Sequence, residues 1–128
     1  MKVTIIGTGY VGLTTGTCLA DLGHQVVCVD NNPEKIEKLQ RGESPIFEPG
    51  LEDLIIKNKE AGRLTFTTNI GPAVKESEII FICVNTPPKQ DGQADLKYVE
   101  RVAREIALAM NSDYKVIIDK STVPVKTA

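Results

Sequence analysis

The sequence predicts an α/β protein, a doubly wound parallel sheet of about five strands in the order 3-2-1-4-5, with one domain over residues 1–128. Three observations carry that expectation. Strand-like and helix-like segments alternate along the chain, which implies a parallel sheet with helices on both faces. The strand candidates are short continuous apolar runs, the pattern of strands buried on both sides. A glycine turn, Gly7-Thr8-Gly9-Tyr10-Val11-Gly12, joins the first strand candidate to the first helix candidate.

Val3 to Ile6 is an apolar run ended by glycine and reads as the first strand. Tyr10 to Leu22 follows as a helix, with Val11, Thr15, Cys18, Leu19 and Leu22 at helical spacing and Gly23 as its stop. Gln25 to Val29 is a second β-branched run that ends at Asp30. Asn32 and Pro33 supply a cap and a first-turn proline for a helix striped by Ile36 and Leu39 and ended by Gly42. Residues 44–50, Ser-Pro-Ile-Phe-Glu-Pro-Gly, form a turn-rich loop. Leu51, Leu54 and Ile55 mark a third helix closed near Gly62, and Leu64 to Thr67 is a brief strand. Gly71-Pro72 opens a short helix through Glu76, and Glu78 to Val84 is the strongest strand signal. A loop from Asn85 leads to the cap Asp95 and a long helix with Leu96, Val99, Val102, Ile106 and Met110 on one face. Lys115 to Asp119 is the fifth strand, and Ser121-Thr122-Val123-Pro124 is expected to start another helix.

Composition narrows the function. Fifteen Lys and Arg against seventeen Asp and Glu leave a net charge of −2, without the positive face that duplex nucleic acid requires. Charged residues at 25% and hydrophobic residues at 41% suit a folded domain rather than a disordered one. The apolar runs are too short to span a membrane, and the first of them stops too early for a signal peptide. Cys18, Cys28 and Cys83 show no metal-ligand spacing and are expected to be buried thiols of a reducing, cytoplasmic compartment. His24, the one histidine, sits beside Gly23 and reads as a surface turn residue. No metal site is expected.

The glycine turn carries the chemistry. G-x-G-x-x-G is informative where it follows a strand, opens a helix and precedes a strand-end acid, and Asp30 stands eighteen residues past Gly12. Gly7 makes the tight turn, Gly9 admits a diphosphate to the backbone, and Gly12 lets the helix pack closely. The free amides of the helix, Tyr10 and Val11 included, face that anion. Asp30 can accept hydrogen bonds from an adenosine ribose diol. Its charge would repel a 2′-phosphate by about 1–4 kcal/mol. Lys35 is placed to balance Asp30 or reach the ribose, so the expected cofactor is NAD rather than NADP. In a doubly wound sheet ligands lie outside the carboxyl ends of the strands. That points also to Thr86 and Pro87 after the fourth strand, and to Ser121 and Thr122 after the fifth.

Taken together, G-T-G-Y-V-G at 7–12, Asp30 with Lys35, E-P-G-L at 48–51, V-N-T-P at 84–87, A-D-L-K-Y at 94–98 and S-T-V-P-V at 121–125 resemble a specific family. The whole chain is similar to the amino-terminal, Rossmann-type NAD-binding domain of the UDP-glucose/GDP-mannose dehydrogenase family. The resemblance implies oxidation of the C6 alcohol of a nucleotide sugar, UDP-glucose or a relative, to a carboxylate, with two NAD reduced. It implies cofactor contacts at Gly7, Gly9, Val11, Gly12, Asp30, Lys35, Thr86 and Thr122, with Thr122 also near the reacting centre, where it helps hold a water. It places the nucleophilic cysteine and the substrate domain outside this chain, and Cys18, Cys28 and Cys83 match no part of that motif. The expectation is therefore a truncated domain that binds NAD without turnover. Its fifth strand lies near an uncovered edge, a setting for self-association into a homo-oligomer. The alternatives are a stand-alone NAD-binding or regulatory module, and the same domain of a GDP-mannose or UDP-aminosugar dehydrogenase. Hydroxyacid and hydroxyacyl dehydrogenases are disfavoured by the loops at 48–51 and 121–125.

Overall fold

The computed structural model describes residues 1–128. Its elements are β1 (Lys2–Ile6), α1 (Tyr10–Asp21), β2 (Gln25–Val29), α2 (Pro33–Gln40), α3 (Leu51–Glu60), β3 (Leu64–Thr67), α4 (Ile70–Glu76), β4 (Ile79–Ile82), α5 (Lys97–Ala109) and β5 (Val116–Asp119). The strands form one sheet in the order β3-β2-β1-β4-β5, as expected, and every neighbouring pair is parallel. Ile5 of β1 stands level with Cys28 on β2 and Phe81 on β4, so the strand that feeds the glycine turn is also the centre of the sheet.

Strand side chains alternate between two faces, and each face has its own core. On one side Val3, Ile5, Val26, Cys28, Leu64 and Phe66 pack with Leu13, Leu39 and Ile55 from the helices. On the other, Ile6, Val29, Ile80 and Ile82 pack with Val74, Val102 and Ile106. Thr4 points to this second face, fully buried, and its hydroxyl hydrogen-bonds the carbonyl of Ala73 at 3.0 Å. A polar residue is tolerated there because a carbonyl near the end of α4 satisfies it.

The helix boundaries follow local chemistry. The side chain of Asn32 accepts from the Lys35 amide, with Pro33 as the first residue of α2. Asp95 accepts from the Lys97 amide at 3.1 Å at the start of α5, although the cap position itself is Leu96. The fourth strand is shorter than the apolar run predicts, but ladder bonds from Glu78 to Lys2 and from Cys83 to Ile6 extend its pairing at both ends.

Three expectations are corrected. Of the expected stripe of Val11, Thr15, Cys18, Leu19 and Leu22, Leu19 packs partly buried against the core, but the stripe is not the buried face of α1. The helix buries Gly12, Leu13, Gly16, Thr17 and Ala20, leaving Val11 45% and Leu22 77% exposed. A Cβ on Gly16 would lie 2.7 Å from the Cys28 sulfur and 3.1 Å from Ile5 Cγ1, so at that position the helix backbone itself rests on the sheet, with Leu13 packed into the core beside it. Cys18 is consequently exposed, whereas Cys28 and Cys83 are buried as expected. Third, residues 121–128 form no helix, only a turn in which Thr127 bonds the Pro124 carbonyl. The Thr122 carbonyl, which would accept an early helical bond, is taken by the Thr86 hydroxyl at 2.8 Å.

Because α1 sits so near the sheet, Gly16→Val is expected to cost about 2–3 kcal/mol of stability by overpacking. Urea unfolding measures it. An unchanged midpoint would show that the helix can ride away from β1 and β2.

Candidate functional site

A crevice of about 690 Å³ opens at the carboxyl ends of β1, β2 and β4. The glycine turn forms its floor. Gly7 donates to the Val29 carbonyl at 2.8 Å and has φ +103°, a conformation that side chains disfavour. A Cβ there would also strike the Cys83 carbonyl at 2.4 Å. Gly12 is required for a different reason: its Cβ would fall 1.9 Å from the Gly7 carbonyl oxygen. Helix α1 therefore starts directly on top of the turn, and its close approach to the strands belongs more to Gly16 than to Gly12.

Gly9 occupies the cap position of α1 and has open space where a Cβ would project. No side chain caps the helix, and its first turn carries no acidic residue. The amides that helix geometry leaves unpaired lie at the end of α1 nearest the crevice, where Gly9 lines it and the helix dipole is positive. That is the arrangement a diphosphate requires. The residues present thus fit the dinucleotide.

Asp30, at the end of β2, forms the opposite wall. Its Oδ2 accepts from the Thr8 amide at 2.9 Å and the Thr8 hydroxyl at 2.7 Å, and its Oδ1 accepts from the Asn32 amide at 3.0 Å. Lys35 Nζ lies 3.5 Å from Oδ2. Burial alone would raise the Asp30 pKa. The bonds from Thr8 and Asn32 and the charge of Lys35 outweigh it, and the carboxyl is held below its ordinary value. The group is therefore an anion at neutral pH.

Gly7, Gly9, Asp30, Lys35 and Pro87 line the crevice. Tyr10, Val11, Gly12, Thr86, Ser121 and Thr122 stand outside its lining. The Tyr10 hydroxyl donates to Glu48 at 2.9 Å, tying the start of α1 to the loop of residues 44–50, and this bond and charge raise its pKa. The Ser121 hydroxyl accepts from the Val84 amide at 3.1 Å, and Thr86 donates to the Thr122 carbonyl. These bonds clasp the loops after β4 and β5 to each other. The Thr122 side chain is exposed at that rim. Burial pushes the Cys83 thiol up to about 11 and raises Cys28 further, so neither is a thiolate at neutral pH.

Sequence reasoning missed one wall. Thr68 and Ile70 line the crevice at the start of α4, and Tyr98, Arg101 and Glu105 line it from α5. The Arg101 guanidinium lies 5.8 Å from the Tyr98 ring centre. The signal was available: 98, 101 and 105 recur at helical spacing beside the buried stripe of Val99, Val102 and Ile106.

A parallel sheet, a glycine turn beneath an uncapped helix and an ionised acid at the end of β2 define a dinucleotide-binding domain of Rossmann type. The chain belongs to the UDP-glucose/GDP-mannose dehydrogenase family, whose NAD binding domain matches residues 1–128. It is 52% identical over 128 residues to the UDP-glucose 6-dehydrogenase of Rhizobium meliloti, covering 99% of this chain and 29% of that protein. Among solved structures it superposes on a ternary complex of GDP-mannose dehydrogenase from Pseudomonas aeruginosa with TM-score 0.93 and 44% identity, over 96% of this chain and 29% of that one. A UDP-D-ManNAc dehydrogenase from Pyrococcus horikoshii gives TM-score 0.93 at 34% identity, over 99% of this chain and 30% of that one. The chain thus spans less than a third of the length of these relatives. No helix is long and apolar enough to cross a membrane.

The depressed Asp30 pKa has a signed consequence. Its native bonds stabilise the fold above the ordinary carboxyl range, and that contribution is lost as pH falls through the lowered folded value. Asp30→Asn is expected to lose less stability than the parent as pH falls through and below the ordinary carboxyl range. Chemical denaturation at each pH checks this, and parallel acid limbs would contradict it.

Proposed function

We propose that these residues are the NAD-binding domain of a UDP-glucose 6-dehydrogenase, which oxidises UDP-glucose to UDP-glucuronate with two NAD. The observation that carries the NAD reading is the Asp30 carboxylate beside the uncapped α1. NAD, when bound, supplies the hydride acceptor. The chain's own residues bind and orient it. Amides at the start of α1 hold the diphosphate. Oδ1 of Asp30 accepts only from Asn32, which leaves a lone pair for a ribose hydroxyl, and Lys35 supplies a donor beside it. In this reading Gly7, Gly9, Tyr10, Val11, Gly12, Asp30, Lys35, Thr86, Pro87, Ser121 and Thr122 serve the cofactor, and Thr122 also helps hold a water near the reacting carbon. Positioning of this kind is the main contribution a protein makes to hydride transfer.

Support for the sugar comes from the 52% identity to a UDP-glucose 6-dehydrogenase. The same domain of a GDP-mannose or UDP-aminosugar dehydrogenase is the second reading, favoured by the two superpositions at TM-score 0.93. The substrate-binding part and the nucleophilic thiol lie outside residues 1–128, so this chain binds NAD without turnover. Its two buried free thiols suit a reducing, cytoplasmic setting. A homo-oligomer belongs to the same reading.

Calorimetric titration tests the reading. NAD is expected to bind at least about tenfold more tightly than NADP, as like-charge repulsion at Asp30 requires. UDP-glucose is expected to give no heat, and a mixture with NAD no NADH absorbance. NADH production by the pure chain would overturn the assignment of the reacting groups. Equal affinity for NAD and NADP would overturn the role of Asp30.

A further inference from the structure

We propose that Thr8 is a specificity-setting positioning residue: its amide and hydroxyl lock the Asp30 carboxylate in the orientation that accepts a ribose diol and rejects a 2′-phosphate. This rests on the NAD-binding reading above and extends it to a residue that the glycine motif leaves unspecified.

Thr8 is fully buried between Gly7 and Gly9. Its hydroxyl has one partner, Asp30 Oδ2, at 2.7 Å, the length of a charge-assisted O–H···O⁻ bond. Its amide reaches the same oxygen at 2.9 Å. The Asn32 amide holds the other oxygen at 3.0 Å. Both carboxylate oxygens are thus fixed by donors on separate segments, and two of the three bonds come from Thr8. Lys35 cannot fix the orientation in the same way. Its ammonium is 3.5 Å away on a flexible, partly exposed side chain, where solvent screens the pair. It contributes charge, whereas Thr8 contributes direction.

Selection of NAD over NADP depends on that direction. A carboxylate free to swing toward solvent would lose its bond to the diol and also move its charge away from an incoming phosphate. Held by the turn that carries the diphosphate site, it does neither. The clamp also joins the two halves of the dinucleotide site, because the segment at 7–9 shapes the phosphate end and fixes the ribose end.

The test compares the parent with Thr8→Val, which keeps the shape and the amide but removes the hydroxyl, and Thr8→Ser, which restores it. Calorimetric titrations with NAD and NADP are run on each. Thr8→Val is expected to lose about tenfold in NAD affinity, in line with one bond to a charged group. Its NADP affinity is expected to be retained or to rise, so the preference falls by at least that factor, and Thr8→Ser is expected to recover it. In parallel the Asp30 carboxyl carbon is followed by 13C NMR as pH falls. The carboxyl is expected to titrate higher in Thr8→Val than in the parent, with Lys35 as the charged neighbour in both. A Thr8→Val protein with the parental NAD preference and the parental titration would overturn the proposal. If no Thr8 variant folds, Lys35→Gln decides it: a carboxyl that returns to the ordinary range once the Lys35 charge is gone overturns the clamp, and one that still titrates below that range supports it. Failure of the parent to bind either dinucleotide would instead sink the NAD reading, and the carboxyl titration would still judge the clamp.

Discussion

A single steric constraint organises the molecule: the carbonyl oxygen of Gly7 occupies the place where a side chain at position 12 would begin. Only a glycine at 12 lets the first helix start on the turn that ends β1. With the helix so placed, its unpaired amides open onto the carboxyl ends of the strands rather than into solvent at random. Below that point Gly16 and Ala20 keep α1 close to the sheet, while Leu13 fills the core beside them. Anion site, helix position and sheet packing are one solution rather than three.

The electrostatics build on this frame. Asp30 lies across the turn from the helix start, so a carboxylate and a cluster of amides face one ligand space with opposite preferences. On the proposed reading, one end holds the diphosphate and the other accepts ribose hydroxyls. A dinucleotide with a charged diphosphate and an unphosphorylated adenosine ribose matches both ends. Membership of a nucleotide-sugar dehydrogenase family agrees with that match.

Much of this was legible in the sequence, for identifiable reasons. Continuous apolar runs such as Ile79–Ile82 have few alternatives to buried parallel strands, and the interval from Gly12 to Asp30 spans one helix and one strand. Other features obeyed rules that sequence patterns carry poorly. Hydrophobic spacing pointed to Val11, Cys18 and Leu22, because periodicity counts apolar side chains, whereas α1 meets the sheet through Leu13 and the small residues Gly16 and Ala20. The Ser-Thr-Val-Pro segment carries helix-start residues, yet its groups are spent on the neighbouring loop through Ser121 and Thr122. The wall of Tyr98, Arg101 and Glu105 belongs to a helix far along the chain. Only the crossover that sets α5 beside the β4 end brings it to the crevice.

The bonds between Val84 and Ser121, and between Thr86 and Thr122, have a mechanical meaning. Two connections separated by a whole helix share their fastenings, so they behave as one rim and not as independent flaps. Each fastening joins one side chain to the other segment's backbone, so removing the Ser121 or Thr86 hydroxyl loosens both connections at once.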